Sequence, residues 1–177
     1  MDAGFVDALA RARIGRTYNQ YARSALRRER LEAYLASRAN VRIVLVGEAA
    51  GFRGARVSGL PFTSERQLTG AGPAEATATI VQRVLRELAI EDDVLLWNLV
   101  PTHPHVPGKP LSNRRPTSAE IRAARPFLDA VVDRCASARL LLAVGRLAQR
   151  ELGVPYLRHP SHGGAVAFRE TLVRCLS

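Results

Sequence analysis

Cysteine is nearly absent from this chain. Cys135 and Cys175 are the only two among 177 residues, too few for an iron–sulfur cluster or an all-cysteine zinc site. Each lies in an apolar stretch of helical character, where a buried free thiol is the expected state. Lysine is scarcer still: Lys109 is the only one, so arginine carries nearly all the positive charge. No apolar run approaches the ~20 residues that a membrane-spanning helix needs. The opening segment MDAGFVDALARARIGR has two aspartates before any arginine and no apolar signal core, so neither secretion nor membrane insertion is expected. A cytoplasmic location is the reading that remains. Internal repeats and low-complexity tracts are also missing.

What is present is globular in composition and unusual in charge. Hydrophobic residues make up 47%, and 26 basic residues against 16 acidic ones leave a net charge of +10. That surplus favours polyanionic partners, because a basic surface attracts phosphate and releases counterions on binding. The length suits one domain over residues 1–177, with N-terminal helices in 1–38 packed on an α/β core over 40–177.

Hydrophobic periodicity predicts helices over 5–16 and 18–38, with Arg23, Arg27 and Arg30 on one face of the second. Val41-Arg42-Ile43-Val44-Leu45-Val46 reads as a strand covered on both faces, followed by a Gly-rich, turn-rich stretch from Gly47 to Gly72. Gly72-Pro73 is expected to open the next helix, whose buried stripe is Ile80, Val81, Val84, Leu85 and Leu88. Val94-Leu95-Leu96-Trp97 reads as the second strand, ending at Asn98. Five prolines within 101–116 require a loop there. The capping box Thr117-Ser118-Ala119-Glu120 starts a helix in which Pro126 predicts a kink or a shifted start. Strands are expected over 139–144 and 154–157, with a short helix over 145–152 between them. Periodicity leaves 166–176 open between helix and strand. Strand–helix alternation of this kind predicts a three-layer α/β/α sandwich around a four-stranded parallel sheet.

In such sheets ligands bind beyond the carboxyl ends of the strands, and the unusual loops of this chain follow strand ends. The first is Gly47-Glu48-Ala49-Ala50-Gly51, running on to Pro61-Phe62. Glycines there let a ligand approach the backbone, and Glu48 can act as a base or water orienter, or simply cap a nearby amide. The spacing is neither a dinucleotide fingerprint nor a P-loop. The second is Trp97-Asn98, whose amide offers a donor and an acceptor to one edge of a nucleobase. The third is Arg158-His159-Pro160-Ser161-His162-Gly163-Gly164. The four histidines, 103, 105, 159 and 162, form an HxH pair and an HxxH pair, which leaves a metal-dependent hydrolase as a minority alternative.

Taken together, GEAAG at 47–51, Pro61-Phe62, Leu96-Trp97-Asn98 and His159-Pro160-Ser161 resemble the uracil-DNA glycosylase superfamily in order and separation, over roughly residues 40–170. The resemblance implies a metal-free, cofactor-free and monofunctional repair enzyme that flips uracil out of DNA and hydrolyses its glycosidic bond, leaving an abasic site. It implies stacking of the base on Phe62, hydrogen bonding of its polar edge by Asn98, and donation by His159 to the departing base anion. Gly47, Ala49 and Gly51 would line the base site, and Glu48 with nearby backbone would hold the attacking water. Arg53, Arg56, Arg158, Ser161, His162 and Arg169 are implied DNA contacts.

The departures from the family are specific. Ala49 stands where the best-known members have an aspartate that orients water, which brings the motif closer to the GEAPG type. The iron–sulfur cysteines of that type are missing here. Gly51 replaces the tyrosine that blocks the thymine methyl, which opens the pocket and admits hypoxanthine or xanthine as alternative substrates. Gly163 replaces the leucine wedge, with His162 beside it, so single-stranded or mismatched DNA is the expected substrate form. A DNA-binding member with little catalysis is the other alternative. The expected oligomeric state is a monomer.

Overall fold

The computed structural model describes residues 2–135 and 137–176. Four strands, β1 (Ile43–Ala49), β2 (Val94–Val100), β3 (Leu140–Val144) and β4 (Tyr156–Leu157), form one parallel sheet in the order β2-β1-β3-β4. Alternation along the strands assigns each residue to one of two cores. Val44, Val46, Leu95, Trp97 and Ala143 face a layer made by α1 (Asp2–Arg11), α2 (Ala25–Ser37), α6 (Ser118–Arg134) and α7 (Arg146–Leu152). Ile43, Leu45, Leu96, Leu142, Val144 and Leu157 face α5 (Ala76–Glu87) and α8 (Ala165–Leu176). The architecture is the expected three-layer α/β/α sandwich. The chain leaves β1 for one neighbour, β2, and later returns to its other neighbour, β3. That reversal opens a crevice at the carboxyl ends of the strands.

Several boundaries differ from the sequence reading. Residues 12–24 are not helical. The Asn19 amide donates to the carbonyls of Leu9, at 2.8 Å, and Ala12, at 3.1 Å, closing the end of α1. Tyr18 pairs with His103 in both directions, N–H to carbonyl, at 2.8 and 2.9 Å. Helix propensity cannot compete with two bonds that tie this segment to the loop after β2. The basic face of α2 is committed to the fold: Arg27 Nε donates to the Val57 carbonyl at 2.8 Å, and Arg30 forms a two-pronged pair with Glu65 at 2.8 and 3.0 Å.

The stretch after β1 is more ordered than its glycines suggest, since it contains the short helices α3 (Ala55–Ser58) and α4 (Glu65–Thr69). Helix α5 opens at Ala76 rather than at Pro73, with Glu75 as its N-cap. A 3-10 turn at Glu91–Asp93 precedes β2. Helix α6 starts at the predicted capping box, in which Thr117 Oγ1 accepts from Glu120 N–H at 3.2 Å, and it runs as one element through Pro126. The undecided C-terminal segment is the helix α8. Cys135 is buried, as expected, whereas Cys175 is only half-buried.

Candidate active site

The carboxyl ends of β1 and β2 set the floor of the site. Gly47 and Asn98 are register partners on neighbouring strands, and both occupy the face that carries Leu45 and Leu96 toward α5 and α8. Asn98 does not end its strand as expected; β2 continues through Val100, which holds the residue rigidly. Gly47 leaves the space that Asn98 and Phe62 fill: a Cβ there would lie 2.8 Å from Phe62 Cε2 and 2.9 Å from Asn98 Oδ1. The aromatic ring and the amide therefore meet over one glycine. Asn98 is 4% exposed, and among the described residues no protein group hydrogen-bonds its side-chain amide. The amide opens only to the cleft that it lines, so its donor and acceptor are both available to a ligand there.

Phe62 reaches the site through a strained backbone, with φ at +48°, a conformation that costs about 1–3 kcal/mol for a bulky residue. Its surroundings enforce it. Gln82 Nε2 donates to the Phe62 carbonyl at 3.1 Å, and Ser58 Oγ donates to the Thr63 carbonyl at 2.7 Å.

His159 follows β4 and packs against the end of β3, where its Cδ2 and Cβ face Gly145. Its Nδ1 accepts from the Ser161 backbone N–H at 3.2 Å and contacts Ser161 Oγ at 2.7 Å. This fixes the tautomer, because a nitrogen that accepts carries no proton and Nε2 must hold it. Burial, then the neighbouring Arg158 and His162, lower the His159 pKa. At neutral pH it is a neutral imidazole with one N–H to donate.

These groups line a cleft of about 420 Å³ together with Glu48, Ala49, Ala50, Gly51 and His162, so seven sequence-predicted residues other than Gly47 meet in one place. Glu48 is pushed above the usual carboxylate range by burial, an effect that Arg115, 3.9 Å away, opposes. Behind the loop, the fully buried His103 bonds the Ala50 carbonyl through Nδ1 at 2.8 Å. The metal alternative finds no geometric support: among the described residues no three histidine, cysteine or carboxylate groups come together.

The implied DNA contacts divide. Ser161 orients His159 and touches His162 Nδ1 at 3.0 Å. Arg158 borders the site, its Nη1 donating to the His159 carbonyl at 3.2 Å. Arg53 is exposed and packs over Phe52, while Arg56 packs over the Tyr18 ring with its Nε buried. Arg169 does not join the cleft; it faces Glu87 at 3.8 Å on the outer side of α8.

Sequence reasoning missed Glu75, Asn113, Arg114 and Arg115, which also line the cleft. The proline-rich loop that follows β2 was a visible signal for the last three. Asn113 Oδ1 accepts from Phe52 N–H at 3.0 Å, which ties that loop to the one after β1. Arg114 and Arg115 separate the cleft from a second one of about 640 Å³, lined by Arg16, His105 and Thr117 among others. Glu75 had no signal. Its carboxylate lies against the backbone of Gly51 and Gly54, where a Cβ on either residue would collide with it. The expected opening at Gly51 is therefore filled from elsewhere in the chain.

Comparison with known proteins gives a family and a fold. A family model described as the Uracil DNA glycosylase superfamily matches residues 35–172. Among solved structures, wild-type Pedobacter heparinus SMUG2 superposes with a TM-score of 0.70 at 12% identity, over 99% of this chain and 96% of that one. That likeness concerns the fold. No curated protein matches the chain.

Proposed function

The chain belongs to the uracil-DNA glycosylase superfamily, and from that premise we propose that it removes uracil from DNA by hydrolysing the bond between the base and C1′. The observation that carries the reading is the unpartnered Asn98 amide, set beside Phe62 over Gly47, with His159 in the same cleft. A flat ring, a two-way amide and one neutral donor are what a flipped pyrimidine requires.

The base must first leave the stack, at a cost of ~ a few kcal/mol that is smallest in single strands and mismatches. Phe62 stacks on it, and Asn98 pairs with its polar edge. As the C1′–N1 bond breaks, its electron pair passes to the base and charge grows on O2. His159 Nε2–H donates to that oxygen, an interaction typically worth ~3–4 kcal/mol. Water adds its hydroxyl to C1′ on the opposite face, and its proton passes to Glu48 or to solvent before the base anion is reprotonated. Glu48 and the backbone at 47–49 hold that water. Arg115 at the rim of the cleft, with Arg158 beside His159, supplies phosphate contacts.

The test is an end-labelled oligonucleotide carrying one uracil, single-stranded and as U:G, incubated in EDTA and then heated in alkali. After treatment with the wild-type protein, alkali cuts the strand at the uracil position only. His159→Ala lowers the single-turnover rate ~10²–10³-fold and leaves the melting temperature nearly unchanged. Wild-type protein that is folded yet inactive on both substrates would remove the uracil reading.

A further inference from the structure

Glu75 is hard to explain as a structural residue. It is the N-cap of α5, where Ser, Thr, Asp or Asn would stabilise the helix, yet its side chain makes no capping bond. The carboxylate crosses instead to the loop after β1 and presses on Gly51 and Gly54. No arginine pairs with it among the described residues, although the chain is rich in them. Burial raises its pKa, with no neighbouring cation to oppose the effect. Glu75 is half-buried, and its carboxylate keeps solvent contact through the cleft that it lines.

Its position supplies a role. Gly51 and Gly54 leave one wall of the cleft without side chains, and the Glu75 carboxylate stands in that gap, in the cleft that Phe62, Asn98 and His159 also line. We propose that Glu75 is the specificity-determining wall of the base pocket, limiting it to an unsubstituted pyrimidine and excluding bases with a methyl, a hydroxymethyl or a second ring. Two effects act together. The carboxylate occupies the volume a larger base would need, and pressing an apolar substituent against it would strip its remaining hydration. One methyl group against a fitted wall is typically worth ~10–200-fold in kcat/KM. The inference rests on the base-pocket reading above and deepens it: discrimination comes from a residue outside the strand-end motifs.

The experiment measures single-turnover rates on single-stranded oligonucleotides with uracil, thymine, 5-hydroxymethyluracil or hypoxanthine. Binding of free uracil and free thymine is followed in parallel by ligand-observed NMR. Glu75→Ala is expected to raise the rate ratio of at least one larger base to uracil by ~10-fold or more, with the same trend in thymine binding. Glu75→Gln, which keeps the shape of the wall, is expected to retain the wild-type ratio. Should Glu75→Ala not fold, Glu75→Asp withdraws the carboxylate by one methylene and is expected to shift the ratio in the same direction. Ratios within two-fold of wild type for every larger base, in a folded variant that still cleaves uracil, would overturn the role of Glu75 and leave the uracil reading standing. Wild-type protein that neither cleaves uracil nor binds either free base would overturn both.

Discussion

Glu120 offers the most direct energetic test of how the cleft is held. The side chain is 3% exposed, and its carboxylate accepts four hydrogen bonds. Arg114 Nη1 and Nη2 donate at 2.7 and 2.6 Å, Thr117 N–H at 2.9 Å and Arg16 N–H at 3.2 Å. One carboxylate thus joins the segment after α1, the loop after β2 and the start of α6. The Arg114 guanidinium is the main cause that brings its pKa from 4.5 down to about 2. At about 1.36 kcal/mol per tenfold change in proton affinity, that is roughly 3 kcal/mol of stability at neutral pH. Removing one member of a buried pair typically costs ~3–5 kcal/mol, so the two routes agree. Because the folded pKa lies below the unfolded one, the contribution is complete above about 4.5 and is lost as pH falls through about 2. Urea unfolding of wild type and Glu120→Gln, at neutral pH and at stepwise lower pH, gives both numbers. The expected gap is ~3 kcal/mol at pH 7, closing as Glu120 becomes protonated. A gap below ~1 kcal/mol at pH 7, or one that persists unchanged in acid, would refute the account.

Two further outcomes follow from the site. Gly47→Ala drives a methyl group into Phe62 and to 2.9 Å from Asn98 Oδ1; an activity loss of ~10²-fold or more is expected, with ~1–3 kcal/mol of destabilisation, read by single-turnover kinetics and urea melts. Wild-type-like turnover would mean that Phe62 and Asn98 do not need their present spacing. Salt titration of oligonucleotide binding separates the arginines. Arg158→Ala should flatten the log–log slope by ~0.7 on single strands for the phosphate contact it loses, whereas Arg169→Ala, paired with Glu87 away from the cleft, should leave it unchanged. A flatter slope for Arg169→Ala would put α8 on the DNA path.

Three of the site residues were legible because they stand close to the carboxyl ends of strands, Gly47 and Asn98 two residues inside β1 and β2 and His159 just after β4. Gly47, Asn98 and His159 follow or close apolar runs that must be strands, and in a parallel sheet those ends converge whatever the helices do. Phe62 was placed by motif resemblance alone. Its left-handed backbone, enforced by Gln82 and Ser58, leaves no periodic trace. Residues 12–24 misled for the opposite reason. Their arginines and alanines suggest helix, but Gly15, at φ +55°, and the Asn19 amide interrupt it locally, and the pairing of Tyr18 with His103, 85 positions later, holds the segment open.

The layers, the polarity of the sheet and the three loops that meet at its carboxyl edge were readable along the chain, because hydrophobic period and strand–helix alternation are local quantities. The side chains that complete the cleft from other elements follow from folding. Gly51 reads locally as an open position, and only folding brings Glu75 from the start of α5 to fill it. Arg114 and Arg115 likewise reach the rim because Glu120 anchors their loop to α6. A contact between distant residues depends on the three-dimensional path of the chain, and no short window of residues encodes that path.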